Sequence, residues 1–142
     1  MAMKSRVLTV TKKAKMKTLA DKISARMDCY KPVDIIPPAY SCDRERVVVI
    51  VLTAAKTMPD DFRRFVQNLS REKTQNLAFV ADGTPALMAP IMEIAKTAGS
   101  NVIDNVLYVD GGSALPFLGA KVKPEEEKAA MEWCDSILEI IK

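Results

Sequence analysis

The run Val47 to Leu52, VVVIVL, constrains the fold of this chain more than any other stretch. Six aliphatic residues with no polar alternation predict a strand covered on both faces, as at the centre of a parallel sheet. Even extended to Ala55, the stretch is too short to cross a bilayer. Helices must then lie on both sides of it, and the rest of the chain supplies the pattern for them.

Arg6 to Thr11 (RVLTVT) is a first β-branched run, and Val33 to Ile36 is a short second strand hemmed in by Pro32, Pro37 and Pro38. Leu77 to Ala81 (LAFVA) and Val106 to Val109 (VLYV) complete a set of five with the central run. Between strands the apolar period becomes helical. Met16, Leu19, Ala20, Ile23 and Met27 predict a helix from about Lys15 to Met27. Thr57 and Asp60 form a capping-box-like start, with Pro59 in the first turn, for a helix whose stripe is Met58, Phe62, Phe65, Val66 and Leu69. Thr84 and Pro85 open the next helix, with Leu87, Met88, Ile91, Met92 and Ala95 inward and Gly99 closing it. Pro124 and the acidic Glu125 to Glu127 start the last, which turns Ala130, Trp133, Cys134, Ile137, Leu138 and Ile141 to the core.

Strand–helix alternation at these lengths predicts one α/β domain over residues 1–142, a three-layer α/β/α sandwich around a five-stranded parallel sheet in the order 2-1-3-4-5. Only about ten residues, Pro37 to Arg46, join the second and third strands, where a parallel crossover needs about a dozen. The second helix is therefore expected to be truncated or irregular. In such a sheet the ligand crevice lies beyond the carboxyl ends of the strands, where their order reverses. That places it at Thr11 to Met16 and Thr53 to Met58, with Ala81 to Pro85 alongside.

Composition narrows the chemistry. The chain has no histidine, which removes Ser–His–Asp and Cys–His nucleophiles and histidine-ligated zinc. Cys29, Cys42 and Cys134 have no C-x-x-C spacing and are expected to be free, buried or half-buried thiols. The N-terminus lacks the apolar region of a signal peptide, so a cytoplasmic location is the default expectation, with no membrane partner. A net charge of +3 concentrates at Lys12, Lys13, Lys15 and Lys17. Without interleaved aromatics or a helix-turn-helix signature this predicts no nucleic-acid binding, but a solvated loop or a small-anion site.

Two familiar occupants of such sheets do not fit. A dinucleotide binder needs G-x-G-x-x-G after the first strand, and Thr11 to Lys15 contains no glycine. A receiver domain carries acidic residues there and a phosphoacceptor Asp after the third strand, where this chain has Thr11 and Thr53-Ala54-Ala55. The flavodoxin family fits better. VLTVTKKAKMKTLADKI resembles the flavodoxin opening, a strand, a phosphate loop of S-x-T-G-x-T type and a helix with L-A-x-x-I, carried here by Val7 to Thr11, Leu19, Ala20 and Ile23. The third strand and the M-P-x-x-x-x-x-F helix start, with Met58, Pro59, Phe65 and Leu69, are similar as well, and LAFVADGT resembles the strand and loop that flank the flavin ring.

The resemblance implies a flavodoxin-like fold, FMN as cofactor, an electron-transfer or small redox role and a redox protein partner. It implies Thr11, Lys12, Lys13, Ala14, Lys15 and Met16 at the phosphate, with Thr53, Ala54, Ala55 and Lys56 on one side of the ring and Asp82, Gly83 and Thr84 on the other. The chain departs from the family in its loops. The phosphate loop has Lys13, Ala14, Lys15 and Met16 in place of hydroxyls and a glycine, and the third-strand loop brings no aromatic ring to stack on a flavin. Two further readings therefore stand beside the first: a flavodoxin-like interaction module that has lost FMN, and a site for another phosphorylated small molecule. On bland readings, Thr53 ends a strand, Thr57 caps a helix, and Asp82-Gly83 and Asp110-Gly111-Gly112 are tight turns. Phe117 is the one aromatic that the order of elements brings toward the site, and it is not counted among the site residues.

Overall fold

The structure, a computed structural model, describes residues 5–34, 44–112 and 121–141. The aliphatic run lies in strand β3 (Glu45–Thr53), flanked by β1 (Ser5–Val10) and β4 (Thr74–Asp82), all parallel. Leu8 pairs with Ile50, and Ile50 with Phe79, at the middle of the sheet. Val47 through Leu52 have no exposed surface, as a doubly covered strand requires. The two-residue strand β2 (Val33–Asp34) lies outside β1.

The side chains alternate between two cores. Val48, Ile50 and Leu52 join Leu8, Leu77 and Phe79 under helices α2 (Asp60–Gln67) and α3 (Pro85–Ala98). Val47, Val49 and Val51 join Val7, Ala78 and Val80 on the opposite face, under α1 (Ala14–Arg26) and α4 (Pro124–Ile140). Met16, Leu19, Ala20 and Ile23 bury the predicted stripe of α1, and Trp133, Cys134 and Ile137 that of α4. The order β2-β1-β3-β4 continues beyond β4 with two short strands, β5 (Asn101–Val102) and β6 (Leu107–Val109).

Those two strands correct the expectation of a single fifth strand at Val106 to Val109. β5 pairs with Asn76 and Leu77, and β6 with Val80 to Asp82, so the fifth place is filled in two parts. The break has a cause. The Trp133 indole N–H donates to the Asn105 carbonyl at 2.7 Å, and the Asn105 amide donates to Ser136 at 3.0 Å, so α4 draws the chain out of the ladder there.

Helix ends follow local chemistry in α3 and depart from expectation in α2. Thr84 caps α3 by accepting from the Leu87 N–H, Pro85 follows, and Gly99 closes it at φ +114°, a left-handed turn that suits glycine. Thr57 does not cap α2, contrary to the sequence expectation. Pro59 occupies the cap position with no side-chain hydrogen bond, and Thr57 stands exposed two residues before it. Proline's fixed φ fits the residue ahead of a helix, and Asp60 and Asp61 supply the negative charge that the first turn favours. Cys29 is half-buried and Cys134 buried, both as free thiols. Cys42 and most of the Pro37 to Arg46 crossover lie outside the described residues, as does Phe117. Among the described residues no helix is long and apolar enough to cross a membrane.

Candidate functional site

β1 ends at Val10 and α1 begins at Ala14, so the first loop has three residues. The Thr11 hydroxyl accepts from the Lys13 backbone N–H at 3.1 Å, which folds the loop on itself. It also meets the Thr53 hydroxyl across the sheet at 2.7 Å. Thr53 in turn donates to the Asp82 carboxylate at 3.3 Å. A hydroxyl has one proton, so Thr11 donates to Thr53 and the chain of hydrogen bonds runs one way, from the Lys13 amide to Asp82.

Asp82 is the hub of this network. Its Oδ2 lies 2.6 Å from Lys13 Nζ, and its Oδ1 accepts from the Gly111 N–H at 3.0 Å. Thr11, Thr53, Asp82 and Gly111 follow or end β1, β3, β4 and β6, so one polar network ties four strand ends together. A Cβ on Gly111 would lie 2.2 Å from Asp82 Oδ2, which accounts for glycine there. Gly83 is similarly close to its neighbour: a Cβ would stand 2.9 Å from that of Ala54, whose N–H donates to the Asp82 carbonyl at 2.9 Å.

Beside this network a cleft of about 580 Å³ opens beyond β1 and β3. Its walls are Val10 to Lys13, Lys17, Thr53, Ala55, Met58 and Pro59, and its described lining includes no aromatic ring. Such a volume suits a small organic ligand. The cleft lies at the reversal of strand order, where the sequence placed it.

The charges around it are unequal. Lys12, Lys17 and Lys56 are exposed and make no ion pair with a described residue. Lys13 is held by Asp82, and Lys15 reaches away to Glu126 of α4 at 2.7 Å. Burial would raise the Glu126 pKa, but hydrogen bonds from the Lys15 ammonium and the Lys123 backbone, with both positive charges, hold it below the ordinary value. Asp110 is also lowered, chiefly by the Gly112 N–H and then by the charges of Lys15, Lys13 and Lys123. The start of α1 has no side-chain cap and no acidic residue in its first turn, so the N–H groups of Ala14, Lys15 and Met16 have no helical partner.

The structure therefore brings Thr11, Lys12, Lys13, Thr53 and Ala55 to one cleft, with Ala54, Asp82 and Gly83 packed beside it. Other expected site residues have other tasks. Met16 is fully buried under α4, Lys15 is tied to Glu126, and Thr84 caps α3. Lys56 borders a separate groove of about 220 Å³ with Leu87 and Ile91. Sequence reasoning missed two partners, Gly111 for Asp82 and Glu126 for Lys15. The acidic start of α4 was the available signal for Glu126, since the first and last helices of a doubly wound sheet share a face.

No family model matches the sequence, and no curated protein matches it. Among solved structures the chain is similar to a short-chain flavodoxin associated with a PDU bacterial microcompartment, at a TM-score of 0.62 and 10% identity, covering 99% of this chain and 100% of that one. Together with the parallel sheet and its helical layers, this likeness shows that the chain has a flavodoxin-like α/β fold.

Proposed function

We propose that the chain holds FMN in the cleft beyond β1 and β3 and serves as an electron-transfer or small redox protein. The observation that carries this reading is the position of the cleft, at the sheet's switch point and against the open N-terminus of α1. The donors suit a phosphate: the three amides at Ala14 to Met16 lie in the first turn of α1, where no helical carbonyl engages them, and Lys12 and Lys17 add positive charge at the rim. Thr53 and Ala55 would flank the ring, which would meet methyl and thioether surface at Ala55 and Met58, with Asp82 and Gly83 set behind that wall. The flavin supplies the redox chemistry when bound. The protein's part is to hold it, and the Thr11–Thr53–Asp82 network keeps the surrounding loops in place. The exposed lysines would favour an acidic redox partner in the cytoplasm.

The visible absorption spectrum of the purified protein tests this. Flavin bands, or an FMN-dependent rise in melting temperature, are expected; a colourless protein unaffected by excess FMN would reject it. A second reading, an interaction module without FMN, draws on one observation: Lys13 is already neutralised by Asp82. The same spectrum separates the two.

A further inference from the structure

We propose that Asp82 is a built-in counter-anion, competing with the ligand's phosphate for Lys13 and so setting how strongly the site prefers a phosphorylated ligand. The inference takes its ligand from the FMN reading above.

Three donors converge on one carboxylate: Lys13 Nζ at 2.6 Å, the Gly111 N–H at 3.0 Å and the Thr53 hydroxyl at 3.3 Å. An ammonium, a backbone amide and a hydroxyl are the donors that a phosphate oxygen would recruit. The carboxylate is closely fitted, because Gly111 leaves no space for a Cβ beside it. Lys13 also lines the cleft, whereas Asp82 does not, so a ligand there meets Lys13 while the ammonium is held by the carboxylate.

The pair is not sealed. The Lys13 and Asp82 side chains keep 25% and 13% of their surface exposed, so the ammonium has room to turn toward the cleft. An arriving dianion meets Lys13 with its charge cancelled and must draw it from Asp82 against the repulsion of that carboxylate. A ligand without phosphate meets neither cost. Asp82 thus lowers the discrimination that the lysine-rich loop would otherwise give.

The experiment measures FMN and riboflavin affinity for wild type, Asp82→Asn, Lys13→Met and the double variant. Asparagine keeps an acceptor for Gly111 and removes the charge. Asp82→Asn is expected to tighten FMN by about tenfold while changing riboflavin by less than about twofold, and adding Lys13→Met is expected to erase the gain. Lys13→Met alone leaves Asp82 uncompensated and is expected to weaken FMN more than riboflavin, which gives a test even where Asp82→Asn fails to fold. If these variants shift FMN and riboflavin equally, Asp82 is structural only and the proposal is overturned while the flavin reading stands. Should no form bind flavin, inorganic phosphate is the probe. A rise in melting temperature with phosphate in Asp82→Asn, absent in wild type and the double variant, would support the competition and reject the flavin reading. No response to either probe overturns both.

Discussion

Gly111 shows how tightly the strand ends are fitted. A methyl group there would collide with the Asp82 carboxylate at 2.2 Å and break the bond from its own N–H. Gly111→Ala is expected to destabilise the fold by about 1–3 kcal/mol, read as a lower urea midpoint. Cys134 illustrates the opposite environment. Burial, then the neighbouring Asp135 charge, pushes its thiol up to about 12. A thiol raised in the folded state costs stability only in alkali, so this contribution is intact below pH 9 and declines as pH rises toward 12. Alkylation at pH 8 followed by mass spectrometry should leave Cys134 unmodified in the native protein and modify it in urea. The helical spacing of α4 had already turned Cys134 to the core, but the Gly111 contact was not legible from the linear sequence. Lys13 and Asp82 are 69 positions apart, and spacing within a loop says nothing about a partner on another strand. Asp110-Gly111-Gly112 reads as a turn because Asp and Gly favour turns, and its contact with Asp82 emerges only in three dimensions.

Whole elements were more legible where local chemistry and burial agree. The uninterrupted valines placed β3 at the centre of the sheet, and Thr84-Pro85 with Gly99 bounded α3 because cap, proline and left-handed glycine each act locally. Thr84→Ala is expected to cost about 1 kcal/mol, measured by chemical denaturation, through loss of the bond from the Leu87 N–H. The start of α2 was misjudged because Thr57 matched a capping pattern, whereas proline two residues later set the boundary. The divided fifth strand depends on Trp133 and Asn105, 28 positions apart, which no local pattern encodes. Between α1 and α4 run the pairs Lys15–Glu126, Lys22–Glu127 and Arg26–Asp135. The last two are well exposed and contribute little. Glu126 has a lowered pKa, so its contribution is present above about 4.5, the ordinary value, and is lost as pH falls through the folded one. The urea midpoint of wild type should exceed that of Glu126→Gln at pH 7, with the gap closing in acid.

At the scale of the molecule, the strand order led to the expectation of a crevice beyond the ends of β1 and β3. The cleft of about 580 Å³ beyond β1 and β3 is in that position, and Thr11, Lys12, Lys13, Thr53 and Ala55 meet there. Its occupant was less legible, because a short loop of lysines serves equally as ligand donors or as partners for acids elsewhere in the fold. In the structure Lys13 and Lys15 pair with acids, while Lys12 and Lys17 stand on the rim of the cleft. The most direct test is an amide NMR titration of the isotope-labelled protein with FMN. The account predicts saturable shifts centred on Thr11 to Met16 and Thr53 to Lys56, with the far ends of the strands unmoved. No shift at millimolar FMN, or shifts centred on the opposite edge of the sheet, would contradict it.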